Sequence, residues 1–185
     1  MTRIHSNEGF ATHIQPVFLI GTYNEDGSPN FAPITWVTTT WDKDHFQMVI
    51  NMNGSKKTKD NIARTRLLSA NLVSTDMVAL LDYFGHASGL EGDKTALSYD
   101  HAAGHVLAVP TLTQSRRVYE LEVVNTVDTF DTTTYFCKSH NRQQIDTIAP
   151  DTSAAEEIRL LDPLVYTGSY YKLGDLIGDM GTFLP

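Results

Sequence analysis

The chain is 185 residues long with a formal charge of -8, its lysines gathered only in local clusters. That length suits a single domain, 1–185, with its own core, and the acidic balance excludes nucleic acid as the main partner, since a phosphate backbone demands a basic face. The one cysteine, Cys137, excludes an internal disulfide framework and a multi-cysteine metal site. No apolar run approaches the roughly 18 residues of a membrane span, and the first 21 residues lack the apolar core of a signal peptide. The expectation is a soluble cytoplasmic protein with no membrane partner.

In chain order, Pro16 to Tyr23 reads as a first strand, and Asn24 to Pro29 supplies the turn residues that reverse it. Phe31 to Thr39 reads as a second strand, with Pro33 placing its early part at an edge or bulge. His45 to Asn51 is a third, closed by Asn53-Gly54. Thr58 is a candidate N-cap for a helix through about Thr65, with Ile62 and the later Leu67 and Leu68 facing the core. Leu67 to Val73 returns as a strand. Ser74 or Thr75 caps a second helix, Asp76 to Phe84, with Gly85 as its left-handed terminator.

From Gly85 to Val109 the sequence is polar with little periodicity, the mark of a long functional loop. Arg117 to Thr129 and Thr132 to Ser139 form a hairpin. Ser153 to Glu156 is a capping box opening a third helix, and Leu164 to Leu173 a last aromatic-rich strand. Six or seven strands and three short helices predict a mainly β fold, a small β-barrel with helical additions.

The stretch Ser55-Lys56-Lys57-Thr58 at a predicted helix start offers hydroxyls, free N–H groups and positive charge to a phosphate. Composition alone favours the plainer reading, a capped surface helix with solvated lysines. The spacing is neither that of a Walker A loop nor of a dinucleotide fingerprint. Trp36 is a planar partner for a ring system, with Thr35 and Thr38 as polar neighbours; a strand tryptophan, Trp36 or Trp41, is more often core or interface. His101 and His105 have i,i+4 spacing, but Gly104 weakens a helix there and no third ligand is placed. Cys137 reads as a small buried apolar residue. No paired carboxylates or nucleophilic triad stand out.

The ordered set Pro16–Gly21, Asp26-Gly27-x-Pro29-Asn30, Ile34-Thr35-Trp36, Thr58-x-x-Asn61-Ile62, Ala70-Asn71-Leu72, Ser88-Gly89 with Asp93-Lys94, Leu121-Glu122 and Tyr170-Tyr171-x-Leu173-Gly174 resembles the flavin reductase-like family of FMN-binding split barrels, including its flavoredoxin-type members. The resemblance implies an FMN-binding split β-barrel that works as a homodimer with the flavin near the subunit interface. It implies Asn30 and Trp36 beside the isoalloxazine, backbone groups of Thr35, Trp36, Val37 and Thr38 along the ring edge, and Ser55, Lys57, Thr58 and Asn61 at the phosphate end. Lys94, His140 and Tyr170 or Tyr171 would add flavin contacts. The expected activity is that of an oxidoreductase, a flavin reductase taking a hydride from NADH or NADPH onto flavin N5 and passing electrons to free flavin or another acceptor. The alternative is an electron-transfer flavoprotein without enzymatic activity, reduced by a redox protein partner. No side chain is required as acid or base.

Overall fold

The computed structural model describes residues 14–43, 45–86 and 98–177. Among them the strands are β1 (Gln15–Pro16), β2 (Phe18–Tyr23), β3 (Pro29–Ile34), β4 (Val37–Asp42), β5 (His45–Asn53), β6 (Leu67–Leu72), β7 (His101–Ala103), β8 (Pro110–Leu112), β9 (Arg117–Thr129), β10 (Thr132–Gln144), β11 (Leu164–Tyr166) and β12 (Tyr170–Lys172). The helices are α1 (Lys57–Thr65), α2 (Val78–His86) and α3 (Ala154–Leu161), with a 3-10 turn, Thr75–Met77, leading into α2.

Seven strands form one antiparallel sheet in the order β3-β2-β6-β9-β10-β5-β4. Its two edge strands, β3 and β4, are consecutive in the chain and separated only by Thr35 and Trp36. In a flat sheet those edges would lie about 29 Å apart, at roughly 4.8 Å per neighbouring pair. A link of this length reaches about 10 Å. The sheet therefore curls on itself, and because β3 and β4 are not hydrogen-bonded to each other, it is a barrel split along that seam.

Period-2 alternation explains why the strands close around one core. Phe18 and Ile20 of β2, Met48, Ile50 and Met52 of β5, Leu121 and Val123 of β9, and Tyr135 and Cys137 of β10 all point inward to a single buried cluster. The intervening Leu19 and Phe31 face outward, where Leu80, Leu81 and Phe84 of α2 cover them in a second cluster. Among the described residues no helix is long and apolar enough to cross a membrane.

Several sequence expectations are corrected here. The second strand is broken at Thr35-Trp36, because Val37 N donates to Thr35 O (2.9 Å) in a tight turn and Asn51 N donates to Trp36 O (2.9 Å). Helix α1 begins at Lys57 with Lys56 at the cap position and no side-chain cap; Thr58 is turned inward instead. Gly85 lies inside the last turn of α2 rather than ending it. The last strand is two, β11 and β12, folded at Gly168 (φ 89°). In the capping box, the Ser153 hydroxyl accepts from Glu156 N (3.3 Å), but the Glu156 carboxylate pairs with Arg159.

The end of the expected long loop is a hairpin, β7–β8, lying on the outer face of β2, β6 and β9. It has little pattern of its own because its support is non-local. Leu112 N donates to Asn71 Oδ1 (2.8 Å). The wholly buried carboxylate of Glu120, on β9, accepts from the N–H groups of His105 (2.8 Å), Val106 (2.8 Å) and Leu107 (2.6 Å), and from the side-chain amides of Asn141 (2.7 Å) and Gln143 (2.8 Å). Burial alone would raise its pKa, yet these donors, led by Leu107 N–H, hold it down at about 2. Gly21 lets the hairpin sit this close: a Cβ there would stand 2.6 Å from Pro110 O.

Candidate functional site

The turn Asn24 to Ser28 is built by local chemistry. Asp26 Oδ1 accepts from Ser28 N (2.9 Å), and Gly27 takes the left-handed φ of 82°. It brings β3 back beside β2, so that Asn30 faces Thr22 across the ladder. There Asn30 Nδ2 donates to Thr22 Oγ1 (3.2 Å) and Thr58 Oγ1 (3.0 Å), while Asn61 Nδ2 donates to Thr22 Oγ1 (3.1 Å) and Asn24 Oδ1 (2.9 Å). Asn30, Thr58 and Asn61 are thus brought together, but as a buried network with exposures of 3%, 1% and 1%. The Thr58 hydroxyl is an acceptor for Asn30 rather than a surface donor. The network seats the first turn of α1 on the barrel.

That first turn is what remains accessible. Ser55 is exposed, Lys56 and Lys57 are half-buried, and a helix leaves its first N–H groups without internal partners. Lys59 is drawn away, its Nζ donating to Asp131 O (3.4 Å) at the tip of the β9–β10 hairpin. An anion at Ser55–Lys57 would meet two ammonium groups, a hydroxyl and the positive end of α1. These groups fit a phosphate.

The Thr35-Trp36 corner lies close by, because Trp36 O is bonded to Asn51 and Ser55 follows four residues later, at most about 13 Å along an extended chain. Trp36 is 40% exposed, so its ring is available as a platform for a planar ligand. Val37 N is committed to Thr35 O and its side chain packs against the barrel core, while Thr38 is exposed on β4. Trp41 instead packs edge-on against Phe46, which stacks on Tyr119.

On the α2 side of the corner, Thr35 and Tyr170 line a cavity of about 300 Å³ together with Asp82, Gly85, His86 and Tyr166. Tyr170 Oη donates to Asp82 Oδ1 (2.6 Å), and that bond, more than burial, pushes its pKa up to about 12. His86 Nδ1 lies 2.8 Å from Asp82 O, an arrangement that places the proton on Nδ1.

His140 is not brought to the corner. It sits in a bulge within β10, opposite β9, where its Nε2 lies 2.7 Å from Glu122 Oε2. The expected strand end there is overridden, since β10 runs on to Gln144. Lys94 lies outside the described residues. Cys137 is fully buried in the barrel core, and burial pushes its thiol up to about 12. His101 is on β7 and His105 in the following turn, so their spacing is not that of one helix face. Sequence reasoning missed Asp82, His86 and Tyr166, which stand on α2 and β11 and meet only in space, and Glu120, which nothing local sets apart within its strand.

The profile of the family described as "Flavin reductase like domain" matches residues 10–174. No curated protein matches the chain. Among solved structures, a flavoredoxin from Methanosarcina acetivorans is 23% identical, with a TM-score of 0.86 over 99% of this chain and 97% of that one. Flavoredoxin of Desulfovibrio vulgaris (Miyazaki F) is 19% identical, with a TM-score of 0.84 over 98% and 99%. An FMN-binding protein from Thermus thermophilus, with bound p-hydroxybenzaldehyde, is 20% identical, with a TM-score of 0.77 over 100% and 98%. At these identities the structural likeness establishes the split-barrel fold.

Proposed function

We propose, since the chain belongs to the flavin reductase-like domain family, that it binds FMN and works as an NAD(P)H-dependent oxidoreductase. The observation that carries this reading is the closeness of two accessible features beside β5: the exposed Trp36 corner, bonded to Asn51 of β5, and the cationic start of α1, which follows β5. Ser55, Lys56 and Lys57 would hold the phosphate. Trp36 and the backbone of the Thr35–Thr38 corner would lie along the ring, with Thr35 and Thr38 offering hydroxyls to its polar edge. Asn30, Thr58 and Asn61 position α1 from beneath. FMN, when bound, supplies the hydride-accepting chemistry; the chain binds it, orients it and excludes water from one side.

The same reading includes a homodimer. Its support is the β9–β10 hairpin, where Val124 and Val127 stand 48% and 45% exposed and no helix among the described residues covers them. The charge of -8 favours a second reading, an electron carrier that docks on a basic redox partner. Titrating the purified chain with FMN and then mixing it with NADH or NADPH in stopped flow separates the two. Direct bleaching of the flavin band is expected for the enzyme, and bleaching only through a reduced partner protein would favour the carrier. Absence of FMN binding would end both.

A further inference from the structure

We infer that Asn53, at the end of β5, is a site of spontaneous deamidation that places a new carboxylate beside the start of α1. Asn53-Gly54 is the one Asn-Gly pair in the sequence. Glycine has no side chain to hold its backbone nitrogen away from the residue before it, so that nitrogen can reach the Asn53 amide. Asn53 is exposed, and its side-chain amide meets no hydrogen-bond partner among the described residues. Every other described asparagine has its side-chain amide hydrogen-bonded, those of Asn30, Asn61 and Asn71 in the buried interior. Gly54 has a left-handed φ of 62°, and beyond its chain neighbours no atom stands within 4 Å of where a Cβ would sit, so the turn has room for a ring.

The step is a ring closure. The Gly54 nitrogen gives its proton to solvent and bonds to Cγ of Asn53 as the Cγ–Nδ2 bond breaks; the amide nitrogen takes up a proton and leaves as ammonia. Water then opens the succinimide. Attack at Cγ gives aspartate, attack at the Asn53 carbonyl carbon gives isoaspartate, and either product adds one negative charge. No oxidant or reductant takes part. Gly54 N donates to Asp131 O (3.0 Å), and that bond has to open first. It lies at the end of the ladder, where Asn53 and Thr132 are the last β5–β10 pair, and strand ends open more readily than their centres. Ser55 is two residues away, at most about 7 Å of chain. The new charge therefore competes with a bound anion for Lys56, Lys57 and the positive end of α1. The consequence for flavin binding rests on the phosphate seat proposed above; the modification itself does not.

Incubating the full chain in mildly alkaline buffer and mapping its peptides by mass spectrometry over time tests the site. Conversion is expected at Asn53 ahead of every other asparagine, as a mixture of aspartate and isoaspartate. Asn53→Gln, whose longer side chain would have to close a larger ring, is expected to stay intact. Conversion led by another asparagine, an Asn53 that stays intact, or aspartate without isoaspartate overturns the proposal. Fluorescence titration of the aged wild type and of Asn53→Asp reads the consequence. FMN affinity is expected to fall about three- to tenfold in both, with riboflavin affinity unchanged. FMN affinity that holds in both, or an equal loss for riboflavin, overturns the effect on the start of α1. A chain that converts at Asn53 yet binds no FMN when fresh overturns the flavin reading and leaves the modification standing.

Discussion

Asn30 on β3 donates through Nδ2 to the hydroxyl of Thr58 on α1 at 3.0 Å, and both side chains are buried. One hydrogen bond thus ties the strand that ends at the Thr35-Trp36 corner to the helix whose start faces solvent. The Thr35-Trp36 corner and the start of α1 are held in register through this contact.

Thr58→Val keeps the shape but leaves one N–H of the Asn30 amide without an acceptor. It is expected to lower stability by about 1–2 kcal/mol, with Thr58→Ser close to wild type. Chemical denaturation of the ligand-free chain checks this. A loss of FMN affinity with unchanged stability would instead place the hydroxyl on the ligand.

Lys57→Ala tests the phosphate seat directly. FMN affinity is expected to fall about three- to tenfold, with riboflavin affinity unchanged, since only FMN carries the charge that the ammonium meets. Fluorescence titration with both flavins gives the ratio. Equal losses for the two would move the phosphate elsewhere.

Glu120 makes a pH-dependent contribution of definite sign. Its folded pKa is near 2 against an ordinary 4.5, so the folded state favours the carboxylate. The stabilisation is fully present above about 4.5 and is lost as pH falls toward 2, amounting to about 3 kcal/mol at most. Glu120→Gln should be less stable at neutral pH and should show a shallower decline through that window, because its amide cannot titrate. Urea midpoints taken from neutral pH down to pH 2 would reveal the difference; parallel curves would show that the clasp is not ionic.

Phe130, at the tip of the β9–β10 hairpin, is fully exposed and carries a left-handed φ of 54°. A side chain with a Cβ is disfavoured there, and nothing buried offsets it. Phe130→Gly should raise stability by about 0.5–1 kcal/mol, read as a higher Tm. A fall in Tm would mean that the ring is packed in solution, for which a concentration-dependent Tm would point to a second copy.

The turn at Asp26-Gly27, the start of α1 near residue 57, the long β9–β10 pair and the mainly β class were legible because each is written locally: turn residues, a polar helix start and period-2 alternation. The break at Thr35-Trp36 was not legible. Residues 31–39 have strand composition throughout, and the interruption comes from Asn51 and from the curl of a sheet whose edges must meet. Thr58 looked like a cap because capping and inward hydrogen bonding use the same hydroxyl. Which one occurs depends on Asn30, 28 residues earlier. The role of Glu120 depends on five donors brought from the 105–107 turn and from β10.

By itself the sequence determined the three helices, the principal strands, their order and the family pattern, since hydrophobic period and turn chemistry act over a few residues. Only the tertiary structure decided which polar side chains stay accessible and which face each other. It buried Asn30, Thr58 and Asn61 behind the first turn of α1, and it joined Asp82 to Tyr170 across 88 residues of chain. A hydroxyl or amide is spent on whichever partner the closed barrel brings within about 3 Å, and that distance is set by the packing of distant strands.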